Sequence, residues 1–216
     1  MPRANRYYQK NYVYHITHRC NHKNFYLKFK KDKSRYRYWL YQAVKKYHLS
    51  VLNYVITNNH IHLLVYDSGD IAIANSMRLI ASRVSFEYNS RKQVDGGAFW
   101  QGRYFATAVQ EASYLLNCMV YIDLNMVRCG VVSHPKAWPF GGYTELLQSD
   151  KRYRILDKEK ILELSGTKFW DVFIENYHYL ITSKLNSRQL NREPIWTETS
   201  AVGDDNFMSN FNRSKS

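Results

Sequence analysis

The spacing of apolar residues switches repeatedly between two and three-to-four along residues 12–127, and the order of those switches is the strongest constraint on the fold. Residues 12–17 (Tyr-Val-Tyr-His-Ile-Thr) are aromatic and β-branched and predict a strand, followed by a polar basic loop through Lys33. Tyr36, Trp39, Leu40, Ala43, Val44 and Tyr47 recur at three and four residues and predict a helix with one buried stripe. Residues 51–57 and 61–66 are two β-rich runs separated by Asn58-Asn59-His60, where asparagine tolerates the positive φ of a tight hairpin. A second helix over residues 71–88 follows from Ile73, Met77, Ile80, Val84 and Tyr88, with Asp70 as its candidate cap. Residues 104–109 form a fourth strand candidate, and residues 112–127 a third helix ending near Gly130.

The resulting order, β-α-β-β-α-β-α, is the split β-α-β arrangement of an α+β, ferredoxin-like fold: a four-stranded antiparallel sheet with helices packed on it. Residues 1–149 would form this domain. Residues 150–197 would add a small helical extension, with helices around 158–164 and 169–185, and residues 198–216 are polar enough to predict a disordered tail.

Charge narrows the partner. Of 31 Lys+Arg against 18 Asp+Glu, residues 1–60 hold 13 basic residues and one acid (Asp32), a local +12, whereas residues 61–216 hold 18 and 17. A localised basic field in a 216-residue chain with 45% hydrophobic residues excludes a disordered or collagen-like chain and fits a polyanion better than a small neutral ligand. The 19 tyrosines fall partly among the cations, as in Arg35-Tyr36-Arg37-Tyr38-Trp39, which suits unpaired bases as well as phosphates. Plain amphipathic surface is the competing explanation. Cys20, Cys118 and Cys129 are an odd number without Cys-x-x-Cys spacing, so neither a disulfide framework nor a thiolate zinc site is indicated. Without a signal-peptide core or a membrane-spanning run, a cytoplasmic location is expected.

His60-Ile61-His62 opens a predicted strand, where side chains alternate faces, so both imidazoles point one way and Ile61 the other. A pair of surface histidines is one explanation; two ligands for one ion is the other. Imidazole with oxygen ligands and open positions suits Mg²⁺ or Mn²⁺, with a third ligand from elsewhere. Tyr121 and Asn125, four residues apart on the third helix, share a face. Each also has a plain structural reading, as a core aromatic and a polar helix end.

Taken together, Tyr14-His15-Ile16-Thr17 with Arg19, Asn59-His60-Ile61-His62-Leu63-Leu64-Val65, Gly102-Arg103, and Tyr121-Ile122-Asp123-Leu124-Asn125 with Val127-Arg128 resemble the single-tyrosine HUH (His-hydrophobic-His) transposases. Within that superfamily of insertion-sequence-200-like enzymes, the chain resembles the REP-associated tyrosine transposases over roughly two thirds of its length. The family often has Pro where Asn58 stands here. The resemblance implies that His60, His62 and Asn125 hold a divalent metal, Mg²⁺ or Mn²⁺, and that Tyr121 is the nucleophile. It also implies single-stranded or hairpin DNA with palindromic repeats as substrate, and action as a monomer.

Attack by Tyr121 would form a 5′-phosphotyrosine and free a 3′ hydroxyl, conserving the bond for rejoining without ATP. Arg3, Arg6, Lys10, Arg19 and Lys23 are candidates for contacts to the DNA backbone, with Arg103 and Arg128 as later alternatives. A histidine-triad hydrolase is disfavoured because position 64 is Leu. The remaining alternative is a non-catalytic binder of single-stranded DNA or RNA on the same sheet.

Overall fold

The structure, a computed structural model, describes residues 8–69, 71–93, 97–148, 153–188 and 190–213. Its centre is β1 (Val13–Arg19), which pairs antiparallel with β3 (His60–Tyr66) on one side and β4 (Phe105–Val109) on the other. β2 (Ser50–Ile56) pairs antiparallel with β3. A short β5 (Ala201–Val202) adds to β4 in parallel, giving the order β2-β3-β1-β4-β5. The first four strands make the expected ferredoxin-like sheet, and the fifth extends it.

Alternation along the strands divides the core in two. Tyr14 and Ile16 of β1 and Ile61, Leu63 and Val65 of β3 face α1 (Lys30–Tyr47) and α2 (Ala72–Lys92), where they meet Tyr36, Leu40, Ile73, Met77 and Ile80. Val13 and Leu64 face the opposite side and pack with α3 (Ser113–Asp123) through Leu115, Met119 and Ile122. Each fully buried Leu, Ile or Val contributes about 1.5–3 kcal/mol of burial free energy. Part of the basic excess is spent inside the fold, not on a ligand. Arg35 donates twice to Glu87 across α1 and α2, at 2.7 and 2.6 Å, and Arg91 pairs with the buried Asp32.

The remaining helices are α4 (Asn125–Arg128), α5 (Tyr143–Leu146), α6 (Lys158–Ser165), α7 (Trp170–Asn186), α8 (Ile195–Glu198) and α9 (Asp205–Arg213). Ile161, Phe173, Tyr177, Ile181 and Trp196 of this C-terminal region share one core cluster with α3. No helix among the described residues is long and apolar enough to cross a membrane.

Three sequence expectations are corrected. The tail from residue 198 is not disordered where it is described. Ala108 and Gln110 donate to the carbonyls of Ser200 and Val202, and Phe207 and Phe211 pack on Tyr12 at 5.4 and 5.9 Å. The open edge of β4 supplies hydrogen-bond partners that the polar composition of the tail does not reveal. The β2–β3 turn uses no positive φ at Asn58 or Asn59; instead the Thr57 hydroxyl accepts from the backbone N–H of Asn59 and His60 at 3.3 and 3.1 Å. The third helix is interrupted at Leu124 (φ −78, ψ 0), so Asn125 begins a separate turn. The Asp70 cap lies outside the described residues.

Candidate active site

The face of the sheet under α3 carries His15 on β1 and His60 and His62 on β3. His62 is in register with Thr17, and His15 with Leu64, so the two imidazoles meet diagonally across the strands. Their hydrogen bonds fix the tautomers. The Trp196 carbonyl can only accept, so His15 donates to it from Nδ1 at 2.8 Å; His15 Nε2 then accepts from His62 Nδ1 at 2.9 Å. The lone pair of His62 is left on Nε2. His60 follows the same pattern, its Nδ1 donating to Asn59 Oδ1 at 2.7 Å and leaving Nε2 without a partner among the described residues. The His60 and His62 rings stand 4.9 Å apart.

Burial keeps all three rings neutral. It pulls His15 and His60 down to about 4, and His62 well below its ordinary value, with the neighbouring imidazoles and Arg128 adding to the effect on His62. Neutral imidazoles with Nδ1 held by a hydrogen bond and the lone pair on Nε2 have the form of metal ligands. Asn125 completes the set: its Nδ2 lies 3.1 Å from His62 Nε2 and its Oδ1 is buried without a hydrogen bond. Rotating that amide by half a turn brings the oxygen to the His62 side, so the three residues fit a divalent ion. Among the described residues no group of three His, Cys, Asp or Glu side chains is arranged to hold a metal.

Tyr121 on α3 reaches the same place, its ring 6.0 Å from His62 and 6.2 Å from His15. The Arg128 guanidinium sits 4.2 Å over the ring and donates to the Tyr121 carbonyl at 3.0 Å. Burial raises the phenol above its ordinary range, while the charges of Arg128 and Arg192 oppose that rise. Tyr121 is only 5% exposed, with Trp196 of α8 against it at 6.2 Å.

A cavity of about 230 Å³ opens over His60 and His62, with Arg19, Arg103 and Arg192 on its walls and Gln101 and Phe105 beside them. Glu198 also lines the cavity and pairs with Arg192, so Arg19 and Arg103 give its mouth an anion-attracting character. Of the remaining candidates, Lys23 lies close by, its carbonyl accepting from Asn59 at 3.0 Å. Lys10 does not join the site. It lies beside Gly69, past the far end of β3, roughly 20 Å of strand away from His60. Arg3 and Arg6 fall outside the described residues. Sequence reasoning assigned no role to His15, Trp196, Arg192 or Gln101; only for His15 did a signal exist, in its parity on β1.

The family described as "Transposase IS200 like" matches residues 8–125, which is 118 of the 216 residues and contains His60, His62, Tyr121 and Asn125. No curated protein matches the chain. Among solved structures, that of a REP-associated tyrosine transposase bound to a REP hairpin superposes with a TM-score of 0.56 at 18% identity, covering 73% of this chain and 94% of that one. The fold is therefore shared with that transposase, and the chain belongs to the IS200-like transposase family.

Proposed function

We propose that the protein cuts and rejoins single-stranded or hairpin DNA through a 5′-phosphotyrosine on Tyr121, with Mg²⁺ or Mn²⁺ held by His60, His62 and Asn125. The observation that carries this reading is the hydrogen-bond chain that puts the lone pair of both His60 and His62 on Nε2, with Asn125 at the His62 nitrogen and a tyrosine beside it. When bound, the ion supplies Lewis-acid polarisation of a phosphodiester oxygen. Tyr121 Oη attacks phosphorus, the P–O3′ bond breaks, and the phenolic proton is lost as the 3′ hydroxyl gains one. Arg128 and Arg192 favour the developing phenolate. Because a phenol is a better leaving group than an alkyl alcohol, a DNA 3′ hydroxyl can reverse the attack and join strands. Arg19 and Arg103 take the phosphates at the cavity mouth.

One observation favours a second reading, a non-catalytic DNA binder: Tyr121 is covered by Trp196. Hairpin DNA incubated with the protein and Mn²⁺, then resolved under denaturing conditions, separates the two. The catalytic reading expects a covalent adduct that EDTA, His60→Ala and His62→Ala each abolish while hairpin binding persists. Adduct formation unchanged in EDTA would dismiss the metal site, and no adduct at any metal concentration would favour the binder.

A further inference from the structure

The two histidines of the cavity are oriented by different parts of the chain. His60 takes its orientation from its own hairpin: Asn59 Oδ1 accepts from its Nδ1 at 2.7 Å, and the Thr57 hydroxyl lies 3.0 Å from the same nitrogen. His62 is oriented from a distance. Its Nδ1 meets His15, 47 residues earlier in the chain, and His15 in turn meets the carbonyl of Trp196, 181 residues after it. His15, His62 and Trp196 are all buried, so each of these hydrogen bonds has to be made within the protein.

Asn125 does not decide the tautomer of His62, because half a turn of its amide offers either a nitrogen or an oxygen to Nε2. The decision lies at the other end of the chain of bonds, where the Trp196 carbonyl has only one option. It accepts from His15 Nδ1, which makes His15 Nε2 an acceptor and His62 Nδ1 a donor. The carbonyl is itself held against the sheet. Thr107, the partner of His15 in register on β4, donates from its buried hydroxyl to the Thr199 carbonyl at 2.7 Å. Neighbouring positions on β1 and β4 thus grip the α8 turn at Trp196 and at Thr199.

We infer that His15 is a positioning residue for the proposed metal centre and that α8 is its anchor: the Trp196 main-chain carbonyl, acting through His15, decides which nitrogen of His62 carries the lone pair. The inference rests on the metal reading above and adds that the last part of the chain builds the outer half of the site. Without an acceptor at position 15 the Nδ1–H of His62 has no partner. The opposite tautomer then wins, because it donates from Nε2 to the Asn125 Oδ1 that otherwise lacks a hydrogen bond, and that donation closes the nitrogen to an ion.

The test reads tautomers and ion binding in the full chain without DNA. Nitrogen NMR of the histidine rings, free of metal at about pH 7.5, should show His15, His60 and His62 protonated on Nδ1. His15→Leu should move the His62 proton to Nε2, leave His60 as it was, and weaken Mn²⁺ binding, followed through the EPR signal of the free ion, by about 10- to 100-fold. His15→Gln, whose amide oxygen can accept from His62 Nδ1, should keep the wild-type tautomer and most of the affinity. A wild type with His62 protonated on Nε2 would overturn the inference whatever the variants do. So would a wild type that binds Mn²⁺ with an affinity or a His62 tautomer that His15→Leu leaves unchanged, and so would equal losses in the Leu and Gln variants, which would mean damaged packing only. A wild type with the expected tautomers, and their expected dependence on His15, that binds no Mn²⁺ would support the relay and remove the metal reading instead.

Discussion

Asp123 stands two residues from the proposed nucleophile and points away from the DNA side, into the layer under α7. It is buried and accepts from the Tyr177 hydroxyl at 2.5 Å. Burial lifts its carboxyl to about 7, against the smaller opposing effect of the hydrogen bonds to it. The folded protein therefore holds this proton more tightly than the unfolded chain does. The stability linked to it is fully present below about pH 4 and lost as the pH rises through about 7, by at most about 4 kcal/mol. Asp123→Asn keeps an acceptor for Tyr177 and removes the charge. Its melting temperature should exceed that of the wild type at pH 8.5, with the advantage gone at pH 5. A difference that does not vary with pH would show that the carboxyl does not titrate in this window. His15 acts at the same scale, holding His62 in the tautomer whose lone pair is on Nε2. Its parity on β1 was readable, but its partner depended on the register that sets Thr17 against His62.

Among the elements, β1 to β4, α1 and α2 were legible because each is specified by its own apolar spacing, although α1 begins at Lys30, inside the stretch through Lys33 read as loop, because the polar first turn carries no apolar period. The alternation of His60, Ile61 and His62 was legible from spacing as well. The interruption at Leu124, the β5 pairing and the α8 turn were not, because contacts far along the chain determine them. The Trp196 carbonyl bonds a histidine 181 residues earlier, and no local pattern around Pro194-Ile195-Trp196 announces it. The position of α8 has a consequence that can be measured. Trp196→Ala removes the ring beside Tyr121 and leaves the main-chain carbonyl for His15. Truncating a buried tryptophan costs about 3–5 kcal/mol, so the variant should melt at lower temperature. It should nevertheless form the DNA adduct faster at 25 °C than the wild type, because a strand has more room beside the Tyr121 ring. A rate that falls along with stability would mean that α8 supports the site and does not block it.

For the whole molecule, the +12 of residues 1–60 is divided between internal pairing and solvent. Arg35 is committed to Glu87, and Lys33 is drawn down by burial and bonds the Lys28 carbonyl at 2.6 Å. Arg19 and Arg103 face the histidine cavity. Hairpin affinity should fall steeply with salt, and Arg19→Ala with Arg103→Ala should flatten the slope of log affinity against log salt by about 0.7 to 0.9 for each phosphate that these side chains neutralise. Parallel lines would place the phosphate-binding groups elsewhere. The central claim, that Tyr121 is the group that joins to DNA, is tested most directly by peptide mapping of the denaturation-resistant product formed with hairpin DNA and Mn²⁺. The DNA should be found on the peptide containing Tyr121, and Tyr121→Phe should yield no adduct while binding the hairpin within a few fold of wild type. An adduct on any of the other 18 tyrosines, or one that survives in Tyr121→Phe, would contradict it.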